Sequence, residues 1–184
     1  DTVLGSVNFF EAGTYKISGE VSSQFISGLL LALPVTHAES TIIITGQIQS
    51  KPYIDMTLDV LKSFGINTEF KENTIKIKTA DGYISPVNYT VEGDWSNSAF
   101  LDAFNLTDGC VQVNGVNCDS FQGDKIYREF YQKLSKGTPE LDISQYPDLG
   151  PVLMVCAVLK NGAIIKGTKR LKIKESDRSR AMAE

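Results

Sequence analysis

The chain has 184 residues, 42% of them apolar and 22% charged, a composition that closes a hydrophobic core and excludes a disordered chain. A formal net charge of −4, from 18 lysines and arginines against 22 aspartates and glutamates, speaks against a non-specific nucleic-acid binder. No apolar run reaches the roughly 18–20 residues of a membrane span, three cysteines cannot all pair into a disulfide scaffold, and the single histidine, His37, argues against His-based catalysis and His-rich metal sites. A reduced, cytoplasmic chain is the expectation, and the start at Asp1, without methionine, reads as that of an excised fragment.

Taken in order, Thr14–Ser18 reads as a strand followed by Gly19. Ser22 to Leu33 reads as an apolar helix, Thr41–Thr45 (TIIIT) as a strand closed by Gly46, and Pro52 to Phe64 as a second helix with proline in its first turn. Thr68–Phe70 and Thr74–Lys78 alternate like a hairpin around Glu72-Asn73. The turn-rich stretch Asp81–Asn88, with Pro86, marks a candidate boundary. Beyond it, Ser96 to Phe104 reads as a helix, Cys110–Asn114 (CVQVN) as a strand closed by Gly115, and Gly123 to Leu134 as a helix. Leu149 to Leu159 then reads as an apolar helix, Ala163–Lys166 (AIIK) as a strand closed by Gly167, and Glu175 onward as a last helix. One grammar recurs three times: apolar helix, short strand ending in glycine, second helix. A full unit is strand, helix, strand, helix, hairpin, an α/β fold of repeated βαβαββ units. The second unit has only Ser135–Leu141 where its hairpin should be.

Chemistry concentrates at the helix starts. Ser22-Ser23-Gln24 opens an apolar helix, where free backbone N–H groups and two hydroxyls suit an anion; a simple N-cap is the alternative reading. Ser50-Lys51-Pro52-Tyr53 opens the second helix, as a cap with a packing aromatic or as a further hydroxyl for the same anion. Asp148, after Pro147, reads either as an N-cap or as a carboxylate poised as general base toward a hydroxyl. Asp94 or Ser96 would cap the helix that follows Glu92-Gly93, a structural role. From Lys160 to Arg180, eight basic residues stand against two acids, a local excess that fits a small anionic ligand. Within that stretch Lys174 and Arg178 would share a helical face with Glu175 adjacent, suiting an anionic substrate that must also be protonated, or forming a solvated helix start.

In this order SSQF, SKPYIDMT, VEGDWS, PDLGP and KESDR resemble the 5-enolpyruvylshikimate-3-phosphate synthases, from about Gly13 to the C-terminus. The resemblance implies a two-lobed, inside-out α/β barrel, truncated here at both ends, with residues 1–90 part of one lobe and residues 91–184 part of the other. It implies transfer of the enolpyruvyl group of phosphoenolpyruvate to the 5-hydroxyl of shikimate 3-phosphate, a step of aromatic amino acid biosynthesis, without metal or organic cofactor. On it, Ser22, Ser23 and Ser50 hold the phosphate of the sugar acid, Gln24 touches both substrates and Tyr53 flanks the shikimate site. Asp148 acts on the attacking hydroxyl, Lys174 binds substrate, Glu175 protonates the phosphoenolpyruvate methylene and Arg178 binds phosphoenolpyruvate. The serines and Gln24 would face Asp148, Lys174 and Glu175 across a cleft. The family's N-terminal lysine-serine…arginine motif, its central glycine and arginine motifs, and its C-terminal phosphoenolpyruvate-binding arginine and lysine have no counterpart, so turnover by this chain alone is not expected. The resemblance implies a monomeric parent; nucleic-acid and membrane partners are not expected, and exposed edges of the truncated units would favour self-association of the fragment. Two other readings stay open: an enolpyruvyl transferase acting on a UDP-sugar, and a non-catalytic self-associating module for a small phosphorylated ligand.

Overall fold

The computed structural model describes residues 11–78, 82–173 and 176–184, which group into two compact units. One comprises the chain up to Gln49 with Ile54–Tyr89; the other comprises Ser50–Tyr53 with Thr90–Glu184. No helix among the described residues is long and apolar enough to cross a membrane.

The first unit is built on strands β1 (Thr14–Ser18), β2 (Ser40–Thr45), β3 (Asn67–Lys71) and β4 (Thr74–Lys78), in the sheet order β1-β2-β4-β3. β1 and β2 are parallel and joined by helix α1 (Ser23–Ala32), as a parallel pair requires a crossover. β3 and β4 pair antiparallel through Glu72-Asn73, both at positive φ, the twist that suits a two-residue hairpin. Alternation decides the faces: Ile42 and Ile44 of β2 and Ile75 and Ile77 of β4 are buried, while Lys76 and Lys78 point to solvent. Against them pack Ile26 and Leu30 of α1, and Ile54 and Leu61 of helix α2 (Lys51–Ser63).

The second unit holds α3 (Trp95–Asp102), α4 (Tyr127–Leu134), α5 (Gly150–Leu159) and α6 (Arg178–Ala183), with strands β5 (Glu140–Asp142) and β6 (Ile164–Lys166). β5 and β6 are parallel with α5 as their crossover, so the strand–helix–strand module of the first unit recurs. Its core gathers Trp95, Tyr127, Tyr131, Leu134, Leu141, Leu149, Leu153 and Leu171.

Two strand expectations need correction. Cys110–Asn114 forms no strand: Asn105 accepts from the Val111 amide at 2.7 Å and donates to the Val111 carbonyl at 2.8 Å, so a side chain occupies groups a ladder would use. The stretch read as a bare gap after Leu134 holds β5, whose only inward residue is Leu141, too short a pattern for alternation to reveal. The last helix starts at Arg178, capped by Asp177, rather than at Glu175.

The glycine closing β6 is irreplaceable on steric grounds. Gly167 sits at φ 74°, and a Cβ there would lie 2.4 Å from the Ser144 nitrogen and 2.6 Å from an Asp142 carboxylate oxygen. Gly167→Ala therefore costs about 2 kcal/mol or more, from left-handed strain plus displaced backbone. A lower urea midpoint with unchanged slope is the expected result; an unchanged midpoint would contradict it.

Candidate functional site

Ser50 and Tyr53 belong to the second unit, and each meets side chains from that unit's late sequence. Ser50 is 2% exposed and left-handed at φ 52°, an uncommon conformation for serine and the sort of strain that marks functional positions. Its Oγ accepts from Nη1 of Arg170 at 2.5 Å. Arg170 lies in the 3-10 segment Thr168–Ile173, is 8% exposed, and leaves its buried Nε–H without an acceptor. Burial pulls its guanidinium below the ordinary arginine value, with Asp148 and Tyr53 acting the other way. A buried guanidinium held by a serine hydroxyl, with a donor left over, has the chemistry to bind an oxyanion.

The Tyr53 amide donates to the Ser50 carbonyl at 3.1 Å, fixing the two residues on one turn. The Tyr53 hydroxyl sits 3.0 Å from Oδ2 of Asp124 and 3.1 Å from Oδ2 of Asp148. Burial first, then the two carboxylates, push the tyrosine well above the usual phenol range, so it stays protonated. Asp148 Oδ1 accepts from Nη1 of Arg178 at 2.7 Å, an ion pair whose side chains are 33% and 25% exposed. Asp124 is 2% exposed and also accepts a short hydrogen bond from the Ser96 hydroxyl.

Glycine permits this packing. A Cβ on Gly123 would lie 2.7 Å from both Pro52 Cγ and Tyr146 Cε1, so only glycine lets the Pro52-Tyr53 turn close on Asp124. The Lys51 amide adds a tie to Gln145 Oε1 at 3.0 Å.

In the first unit Ser22 is the N-cap of α1, its Oγ accepting from the Gln24 amide at 3.3 Å. Ser23 is buried at 5% exposure, whereas Gln24 is exposed. Lys174 and Glu175 lie outside the described residues.

A family model described as EPSP synthase (3-phosphoshikimate 1-carboxyvinyltransferase) matches residues 4–184. The chain belongs to the EPSP synthase family. A 3-phosphoshikimate 1-carboxyvinyltransferase of Clostridium acetobutylicum is 38% identical over 188 residues, covering 94% of this chain and 44% of that protein. One from Clostridium perfringens is 39% identical over 194 residues, and one from Actinobacillus succinogenes 34% identical over 189. An EPSP synthase structure from Acinetobacter baumannii superposes with a TM-score of 0.67 at 20% identity, covering 94% of this chain and 44% of that one, and so supports the fold. The chain spans a little under half the length of these relatives.

The EPSP synthase-like motifs SKPYIDMT, VEGDWS and PDLGP can now be placed. In VEGDWS, Asp94 is the cap of α3, Trp95 enters the core, and Ser96 reaches Asp124. Glu92 of the same motif accepts from Ser120 at 2.6 Å and from Gln122 at 3.0 Å, which locks the entry to α3. Asp148 of PDLGP is no N-cap: its 3-10 segment has no side-chain cap, and its carboxylate is taken by Arg178 and Tyr53. Tyr53 is more than a packing aromatic, since its hydroxyl ties two carboxylates. Asp124 and Arg170 were not singled out from sequence. Asp124 stands second in the segment read as the helix Gly123 to Leu134, and Arg170 is one of the eight basic residues from Lys160 to Arg180.

Proposed function

We propose that the protein to which this chain belongs transfers the enolpyruvyl group of phosphoenolpyruvate to the 5-hydroxyl of shikimate 3-phosphate, releasing phosphate. It is a cytoplasmic, monomeric enzyme of aromatic amino acid biosynthesis in this reading, with residues 1–90 forming part of one lobe and residues 91–184 part of the other. The observation that carries it is the Ser50–Arg170 pair, a buried cation with an unused N–H that suits a phosphate monoester.

In this reading Ser50, Ser22 and Ser23 hold the phosphate of shikimate 3-phosphate, and Gln24, Tyr53 and Lys174 position the rest of the substrates. Arg178 binds phosphoenolpyruvate. Asp148, held by an arginine and a tyrosine, takes the proton of the attacking hydroxyl as Glu175 protonates the methylene carbon. A carbon–oxygen bond forms to the central carbon of phosphoenolpyruvate; the adduct then loses phosphate and a methyl proton to restore the enol ether. Fixed cations stabilise the negative charge that accumulates on these oxygens.

The test is a calorimetric titration of the chain with shikimate 3-phosphate, using unphosphorylated shikimate as control. Saturable heat that requires the phosphate is expected, with affinity falling tenfold or more in the Ser22→Ala/Ser23→Ala double variant. Equal heats with and without the phosphate, or no heat at all, would remove the reading from this chain.

A further inference from the structure

We propose that Asp124 carries a proton in the folded protein, and that this proton turns the Tyr53 hydroxyl so that it donates to Asp148. Tyr53 has one hydroxyl proton but stands 3.0 and 3.1 Å from two carboxylate oxygens, Oδ2 of Asp124 and Oδ2 of Asp148. Donated to one, it leaves its lone pairs facing the other. That second contact is favourable only if the other carboxyl supplies a hydrogen of its own. One of the two acids must therefore be neutral.

The surroundings say which. Asp148 has the Arg178 guanidinium 2.7 Å away and a third of its side chain in solvent, both of which favour the anion. Asp124 has neither. It is 2% exposed, Oδ1 is buried with no partner, and no cation pairs with it among the described residues. Ser96 donates to Oδ2, and the next charged residue along the chain, Lys125, is engaged by the Cys118 and Ser120 carbonyls at 3.1 and 2.8 Å. The other charges that bear on it are Asp94 at the cap of α3 and Asp148, both negative. A buried anion with one bare oxygen, on which only the acids Asp94 and Asp148 act among the described residues, is far costlier than the neutral acid. Burial first, then those acids, raise the Asp124 carboxyl above its ordinary value, against the opposing pull of the Ser96 and Tyr53 hydrogen bonds.

The resulting chain runs in one direction. Asp124 Oδ2–H donates to the Tyr53 oxygen, Tyr53 O–H donates to Asp148 Oδ2, and Arg178 donates to Asp148 Oδ1. Asp124 is then a positioning residue: it touches no substrate, but it aims a hydrogen at the carboxylate. The consequence for catalysis rests on the reading of Asp148 as the base toward the substrate hydroxyl; the location of the proton does not.

The experiment is a carbon-13 NMR pH titration of the full chain labelled at aspartate side-chain carbonyls, with Asp124 assigned by the resonance lost in Asp124→Asn. A signal that holds the protonated position to higher pH than the chain's other aspartates is expected. A signal that titrates near pH 4, as ordinary aspartates do, overturns the proposal. Asparagine keeps the shape and offers an N–H to Tyr53, so Asp124→Asn should bind shikimate 3-phosphate within about threefold of the parent chain, while Asp124→Ala loses at least tenfold. An Asp124→Asn loss as large as that of alanine would overturn the positioning role. Failure of the parent chain to bind shikimate 3-phosphate would count against the proposed function alone, since the titration reads the proton without any ligand.

Discussion

Trp95→Ala should lower the stability of the second unit by about 3–5 kcal/mol, the range for emptying a buried aromatic site. Trp95 is 1% exposed, and its indole N–H donates to the Asn117 carbonyl at 2.9 Å. Its amide donates to Gln122 Oε1 at 2.9 Å, Tyr127 tilts against its ring at 6.0 Å, and the Arg128 guanidinium lies 4.5 Å from the ring centroid. Alanine abolishes the packing, the cation–π contact and the indole hydrogen bond together, and strands the Asn117 carbonyl. Trp95→Phe keeps most of the packing and should cost less than half as much. Urea unfolding followed by far-ultraviolet circular dichroism measures both. Losses under 1 kcal/mol for the alanine variant would show that the α3–α4 core is not organised around this side chain.

Arg170→Met should weaken shikimate 3-phosphate binding roughly 10–100-fold, the worth of one charge-assisted hydrogen bond of about 1.5–3 kcal/mol. Methionine keeps the apolar length of the stem and deletes the guanidinium. In the free protein that guanidinium is 8% exposed, bonded to one neutral hydroxyl and short of an acceptor at Nε, so folding bears its desolvation with little return. The same substitution should therefore leave the urea midpoint unchanged or raise it. Opposite signs on binding and stability are the signature of a residue kept for its ligand. A variant that binds normally, or one that unfolds several kcal/mol more easily, would make Arg170 a structural residue. Affinity for unphosphorylated shikimate should be the same in both proteins.

The sequence was most legible where one local rule and the tertiary structure ask for the same thing. β4 is legible because Ile75 and Ile77 alternate with Lys76 and Lys78, and β2 because Thr41–Thr45 is a β-branched run; the sheet buries Ile42, Ile44, Ile75 and Ile77. α1 was found because Ser22 both caps it and breaks the apolar pattern. Cys110–Asn114 carried a strand-like pattern, yet Asn105 takes its backbone groups, a competition no window of neighbouring residues reveals. The candidate site was legible through resemblance and only partly through physics. Asp148 obeys every rule for a helix cap and is used otherwise, because Tyr53 and Arg178, 95 and 30 residues away, reach it first. Asp124 and Arg170 have meaning only through burial, and burial of a charged side chain is what composition and periodicity conceal.

The placement of Ser50–Tyr53 in the second unit also bears on how such a protein can evolve and be dissected. A repeat normally behaves as a cassette, copied or discarded with its own hydrogen bonds inside it. Here a stretch of the first repeat completes Arg170, Asp124 and Asp148 of the later ones, while Ile54 onward returns to its own sheet. A gene divided after codon 89 would give a C-terminal product in which Arg170 lacks Ser50, and Asp124 and Asp148 lack the Tyr53 hydroxyl. Adding the N-terminal product back in trans should restore them, so fragment complementation, rather than independent folding, is the behaviour this arrangement writes into the halves.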